Sequence, residues 1–285
     1  MKLVNYESSG SAKVGFLKDG KVYRIGSASS IEELLSSGTL DEVRRKEADS
    51  EREELSRIRI RPPIVAPDKI LLAAVNYRAH GKEQGGPLPT EPYFFTKFRS
   101  CIIGQDDPII IPKVSKRMDW EAELAVVIGK RCKYVRKSEA LSYVAGYTVA
   151  NDISFRDLQF PEGWPGKLNP LGQNWVKGKA LDTALPLGPS LVTADEIPDP
   201  QRLRLSLKVN AVEMQNASTE DMVFSVAELI EYLSSGLTLL PGDLVSTGTP
   251  AGVAVFSGMP YLKDEDVVEA TVEGIGTLKN PVRAE

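Results

Sequence analysis

A chain of 285 residues with 42% hydrophobic and 26% charged residues can bury one large core with room for a small second one, and is too apolar to be disordered. Its net charge of −4 argues against nucleic acid as a partner, and no apolar run approaches the roughly 18 residues of a membrane span. Cys101 and Cys132 form no C-x-x-C pair and the N-terminus lacks an apolar leader, which fits the cytoplasm; the single histidine, His80, turns any metal site away from zinc and toward oxygen ligands.

Along the chain, Val14–Leu17 and Val22–Ile25 are predicted as two strands joined by the turn Lys18-Asp19-Gly20-Lys21. A helix is predicted from Ile31 to about Leu35, with Gly38 as its stop. Asp41 to Arg57 is dense in both signs of charge and reads as a solvated helix or connector. Three prolines between Arg61 and Pro67 cannot continue a helix and suggest a boundary, with residues 1–66 a small N-terminal α/β unit and linker and 67–285 the main domain. From there short β segments dominate: Lys69–Val75, Pro108–Ile111, Glu123–Ile128, Ala145–Ala150, Arg204–Val209, Asp243–Thr247 and Val267–Val272. Helical periodicity is clear mainly at Ser138–Val144 and Ser225–Leu233. Strands and helices do not alternate, so the expected class is mixed and mainly β, an α+β fold rather than a doubly wound one.

Two segments carry acids where apolar residues belong. In Asp119-Trp120-Glu121-Ala122-Glu123-Leu124-Ala125-Val126-Val127-Ile128, Glu121 and Glu123 share one face of a strand about 7 Å apart and run straight into an apolar stretch. Asp152 ends the apolar run Val149-Ala150 in the same manner. Buried carboxylates repel one another and lose hydration, a cost a divalent cation removes. Together the three make a facial oxygen site for Mg²⁺ or Mn²⁺, leaving positions for water and a chelating substrate. Separately, His80 and Glu83 are spaced i, i+3, so a helical turn would put a carboxylate against the imidazole and raise its basicity. Gly81, Gly85, Gly86 and Pro87 suggest a loop able to close over a site.

Six ordered motifs then resemble the fumarylacetoacetate hydrolase family. They are Asn76-Tyr77-x-x-His80, Asp119-Trp120-Glu121-x-Glu123-Leu124, Ala145-Gly146-Tyr147-Thr148-x-Ala150-Asn151-Asp152-x-Ser154-x-Arg156-Asp157-x-Gln159, Gly178-Lys179, Gly242-Asp243-x-x-x-Thr247-Gly248-Thr249-Pro250-x-Gly252 and Gly274-Ile275-Gly276-Thr277-Leu278. The resemblance runs from about Lys69 to Val282. It implies that family's C-terminal-domain fold, a β-sandwich or roll of mixed sheets with few helices. It also implies a homodimer and a small oxo-acid substrate.

Carried over residue by residue, the resemblance implies that Glu121, Glu123 and Asp152 bind Mg²⁺, with Mn²⁺ or Ca²⁺ as alternatives. His80 and Glu83 become a water-activating pair on a substrate-ordered lid, and Lys179 stabilises developing enolate charge beside the metal. Arg156 and Gln159 contact substrate, and Thr249 hydrogen-bonds its carboxylate or oxo group. The implied activity is hydrolytic cleavage of a C–C bond in an acylpyruvate-like diketo acid. A decarboxylase or isomerase on the same fold is the close alternative, and a non-catalytic metal-binding scaffold a remote one. Arg78 and Gly81 flank His80 where relatives vary, which leaves lid specificity open. The Pro- and Gly-rich stretch 160–177 is longer than in short relatives and is the expected seat of substrate selectivity.

Overall fold

The computed structural model describes residues 1–38, 52–160 and 172–285. Most of the charged connector expected over 41–57 lies outside these residues, as does most of the 160–177 loop; of the former, Arg52–Glu54 forms a short strand and Leu55–Arg57 a 3₁₀ turn.

Two sheets carry the fold. The larger runs in the order Arg52–Glu54, Lys21–Arg24, Ser11–Lys18, Lys2–Ser8, Leu185–Thr193, Val144–Asn151, Ala122–Ile128, Leu244–Ser246, Ile70–Ala73 and Phe94–Thr96. The smaller has five strands, Val212–Ser218, Arg204–Val209, Val267–Val272, Gly276–Ala284 and Ile109–Ile111 in spatial order. Residues of both sheets, such as Val149 and Leu124 with Leu278 and Ala270, belong to one hydrophobic core, which makes the layered, mainly β architecture expected of the sequence. The long helix Val226–Ser234 starts with a capping box between Ser225 and Glu228 and buries Val226, Leu229, Ile230 and Leu233, the face its periodicity predicts.

The centre of the large sheet explains the apolar runs. Val144–Asn151 is flanked on both sides and all eight of its residues are buried, as are all seven of Ala122–Ile128. Gly146 lets the neighbouring strand come close, for a Cβ there would overlap the Val192 carbonyl oxygen. The two central strands are antiparallel, pairing Ala122 with Asn151 and Glu123 with Ala150. The start of one strand and the end of the other therefore lie at the same edge of the sheet. That register places the acids.

The N-terminal segment shares this sheet, because Lys2 and Leu3 pair with Val192 and Leu191. A division at residues 66 and 67 is thus proposed as one of chain order, across a continuous sheet. Asn5 fixes the segment to the linker: its amide donates to the carbonyls of Pro62 (3.0 Å) and Pro63 (3.1 Å), and its oxygen accepts from the Ile31 N–H (2.8 Å). Replacing a buried side chain with three such bonds leaves three main-chain groups unpaired, so Asn5→Ala is expected to lower unfolding stability by about 2–3 kcal/mol. Denaturant titration checks this; a change within error would mean that the tether is idle.

Candidate metal centre

Glu121, Glu123 and Asp152 converge at the sheet edge with one carboxylate oxygen each, all within 4.8 Å of one another. They are 5%, 1% and 0% exposed. Glu121 precedes its strand rather than lying in it, and is held by its N–H on the Asn151 side chain (3.0 Å) and its carbonyl on the Asp152 N–H (2.8 Å). Such a cluster is strongly unfavourable unless cations reach it.

Three cations do, each from a different segment. Lys179, at the end of the short helix Trp175–Lys179, sets its Nζ 2.7 Å from both Glu121 Oε2 and Asp152 Oδ2. Gly178 permits this, because a Cβ there would run into Gln159. Arg156 spreads its guanidinium over Glu121 Oε1 (2.6 Å), Asp119 Oδ2 (2.8 Å) and Gln159 Oε1 (3.0 Å). Lys97 is wholly buried; it donates to the carbonyls of Ile153 (2.8 Å), Ala184 (2.7 Å) and Lys179, and stands 2.8 Å from Asp152 Oδ1. Burial pushes the Lys97 ammonium below its ordinary value, opposed by Asp152. Three carbonyls on one nitrogen require all three protons, and we take it as charged on that geometry.

The compensation is uneven. Burial raises the pKa of Glu121, but Lys179 and Arg156 outweigh it and hold the carboxyl below the usual range. Glu123 meets no cation within ion-pair distance among the described residues; it accepts from the Ser246 hydroxyl and from the Gly248 N–H (3.0 Å). Burial, then Asp152 and Glu121, drive its pKa well up, and burial raises that of Asp152 as well. Asp152 Oδ1 is also a buried oxygen that receives no hydrogen bond, since the Lys97 protons are spent on carbonyls. An under-neutralised, oxygen-only donor set with an orphan lone pair fits a hard divalent cation such as Mg²⁺, Mn²⁺ or Ca²⁺.

Across from the acids, His80 is buried on the helix Arg78–Glu83, with Nδ1 2.7 Å from Glu83 Oε1; the other Glu83 oxygen accepts from the Gly252 N–H (3.1 Å). His80, Glu121, Arg156, Gln159 and Lys179 line one cavity of about 130 Å³. Aromatic side chains wall it: Phe95 and Trp175 stack at 4.7 Å, the Lys179 ammonium lies 5.1 Å from the Phe95 ring, and Phe256 meets His80 edge-on at 6.0 Å. Such walls keep water scarce around the charges.

Thr249, expected to meet substrate, is engaged with its own chain. The Thr249 hydroxyl donates to the Ala122 carbonyl (3.0 Å) and accepts from Gln215 (2.9 Å), bracing the acid-bearing strand, and Thr249 is not among the cavity-lining residues. Conversely, Lys97 and Asp119 have no role in the sequence reading. Asp119 is fully buried and holds Arg156 while capping the turn Ala254–Ser257 through the N–H groups of Ala254 (2.8 Å) and Val255 (3.1 Å). A lone lysine inside Phe94-Phe95-Thr96-Lys97-Phe98 is the signal that was available for Lys97.

Comparison with known proteins bears on this geometry. Residues 69–283 match the family model for the fumarylacetoacetate (FAA) hydrolase C-terminal region. The chain is 43% identical over 295 residues to the Xenopus laevis protein named mitochondrial oxaloacetate tautomerase fahd2, covering 99% of this chain and 90% of that one. Its fold is similar to that of 5-carboxymethyl-2-hydroxymuconate delta-isomerase from Mycobacterium smegmatis (TM-score 0.80, 31% identity, all of both chains). It is likewise similar to maleylpyruvate hydrolase from Sphingobium sp. SYK-6 (TM-score 0.81, 27% identity, all of both chains).

The charge balance predicts a linked pH and metal effect. Glu123 and Asp152 have folded-state values raised above their unfolded ones, so their contribution is complete below the ordinary carboxylate range and is lost as pH rises through the raised values. Glu121 has the opposite sign and weakens the fold only at acid pH below that range. With chelator present, unfolding stability should therefore fall as pH rises above the ordinary carboxylate range, and Mg²⁺ should flatten that slope. Denaturant titrations at several pH values decide it; identical slopes with and without Mg²⁺ would remove the metal from this cluster.

Proposed function

Because the chain belongs to the fumarylacetoacetate hydrolase family, we propose that it acts on a small 2-oxo dicarboxylic acid and moves a proton on the carbon beside the oxo group, a keto–enol tautomerisation through an enolate. The observation that carries this is the meeting, in one small cavity, of a carboxylate-backed imidazole and a lysine ammonium set among acids.

Glu83 accepts from Nδ1–H, which leaves the proton-accepting lone pair on Nε2 of His80. That nitrogen takes a proton from the carbon, or from the enol hydroxyl in the reverse sense, and returns it at the other position. Lys179 spends two protons on Glu121 and Asp152; its third has no acceptor among the described residues and can meet the oxygen on which negative charge grows. Arg156 commits three of a guanidinium's five N–H groups to Asp119, Glu121 and Gln159, leaving donors for a substrate carboxylate. When bound by Glu121, Glu123 and Asp152, a divalent cation would supply Lewis-acid polarisation of the oxo group. The similarity to a protein named for oxaloacetate supports this substrate class.

Hydrolytic C–C cleavage of an acylpyruvate-like diketo acid is the second reading. The His80–Glu83 pair favours it: anchored by Gly252 at its far oxygen, the carboxylate is rigidly set to make imidazole a base for water. Decarboxylation of oxaloacetate would draw on the same enolate stabilisation without the water. For compartment we propose the cytoplasm, supported by Cys101 and Cys132 being buried and unpaired, as a reducing environment allows.

The Mg²⁺- and Mn²⁺-loaded protein should hasten the decay of the oxaloacetate enol absorbance, and acylpyruvates and released CO₂ should be followed in parallel. His80→Gln is expected to lower tautomerisation and hydrolysis by about 10²- to 10⁴-fold and decarboxylation much less. Equal losses in all three would refute this division of roles, and turnover unchanged after thorough chelation would end the metal-dependent reading.

A further inference from the structure

Gln84 occupies the one edge of His80 that the chemistry needs. Glu83 follows His80 by three residues and Gln84 by four, so both side chains reach the same ring from one helix face. The Glu83 carboxylate can only accept, which puts the ring proton on Nδ1 and leaves Nε2 as an acceptor. The amide nitrogen of Gln84 lies 2.6 Å from Nε2. An amide NH₂ donates, so the two contacts are satisfied together by a neutral ring whose lone pair is already taken. Gln84 lines the cavity beside His80. It caps the end of the helix and is itself only half-buried, next to Gly85 at φ +74°, so the amide can swing away without repacking the core.

We propose that Gln84 is a positioning residue that caps the His80 lone pair and holds the ring in its Nδ1-protonated tautomer, so that a ligand must displace the amide to reach the base. The effect on turnover rests on the reading of His80 as the base. A hydroxyl replacing the amide conserves the hydrogen bond to the ring. A ligand that offers no O–H breaks that bond and returns nothing, so in a buried site the amide weakens its binding about five- to tenfold.

With a single histidine in the chain, the ring resonances of ¹⁵N-histidine-labelled protein assign themselves. In the Mg²⁺-loaded protein, Nδ1 should be protonated and Nε2 should appear as an accepting nitrogen. Gln84→Met, of similar length and without a donor, should keep that tautomer while the Nε2 resonance moves toward that of a bare lone pair. Gln84→Glu, which swaps donor for acceptor, should protonate both nitrogens at neutral pH. In turnover, Gln84→Met should lower KM about fivefold for keto and enol ligands alike, because the amide leaves Nε2 in both complexes, with kcat within about twofold. Two protonated ring nitrogens in the wild type, an Nε2 resonance that Gln84→Met leaves unmoved, or a KM that rises would each overturn the proposal. Wild-type protein that turns over no oxo acid would sink the functional reading and the KM effect with it, while the resonances still decide whether Gln84 holds the lone pair.

Discussion

Three carboxylates forced together at a dry sheet edge set the terms for everything around them. In water, Glu121, Glu123 and Asp152 would repel weakly; at 5% exposure or less their mutual repulsion and lost hydration amount to several kcal/mol. The neighbouring chain is organised to meet that demand. Lys97 arrives from an edge strand, Arg156 from the turn after Asp152 and Lys179 from beyond the 161–171 segment, and their charges fall on Glu121 and Asp152 rather than on Glu123. This lopsided neutralisation separates a cation site from a structural salt-bridge network, in which each acid would be matched.

How much of this can be read in one dimension depends on whether the anomaly is local. Acids running into the apolar stretches at 122–128 and 145–150 are visible as misplaced charges, and the antiparallel register that brings them together follows once both strands are recognised. The His80–Glu83 contact is written in an i, i+3 spacing. Lys179, Arg156 and Gln159 are different: without the family resemblance they are ordinary polar residues. Lys97 leaves only a faint local trace, a lone lysine among aromatic residues, because its burial is produced by carbonyls from residues 153, 179 and 184, distant in sequence. Thr249 is a motif residue whose hydroxyl bonds the main chain of the acid-bearing strand, a contact that no local spacing announces.

The fold shows the same divide. Strands with β-branched, alternating or continuous apolar composition are legible, and Arg204–Val209 and Val267–Val272 coincide with their predicted bounds. Leu185–Thr193 is hidden because Pro186, Gly188 and Pro189 read as punctuation. It is nevertheless a central strand, paired to Val144–Asn151 through a register interruption between Tyr147 and Val149. Lys2–Ser8 is hidden for another reason. Its partners include Leu191 and Val192, so nothing in its own neighbourhood announces that it extends the main sheet.

The clasp between Gln159 and the chain just before Lys179 has a consequence for how such a protein diversifies. Gln159 bonds Gln173 through its side chain (2.7 Å) and the Asn174 N–H through its carbonyl (3.1 Å), and Gly178 lies flush against it. The stretch between is thus closed at its root, independently of its own length or composition, and lengthening a loop already closed adds little entropic cost. Insertions and replacements there are insulated from the ammonium and guanidinium that serve the acids. Inheritance can rewrite that stretch while the reacting groups stay fixed, an economical route by which one scaffold accommodates many sequences.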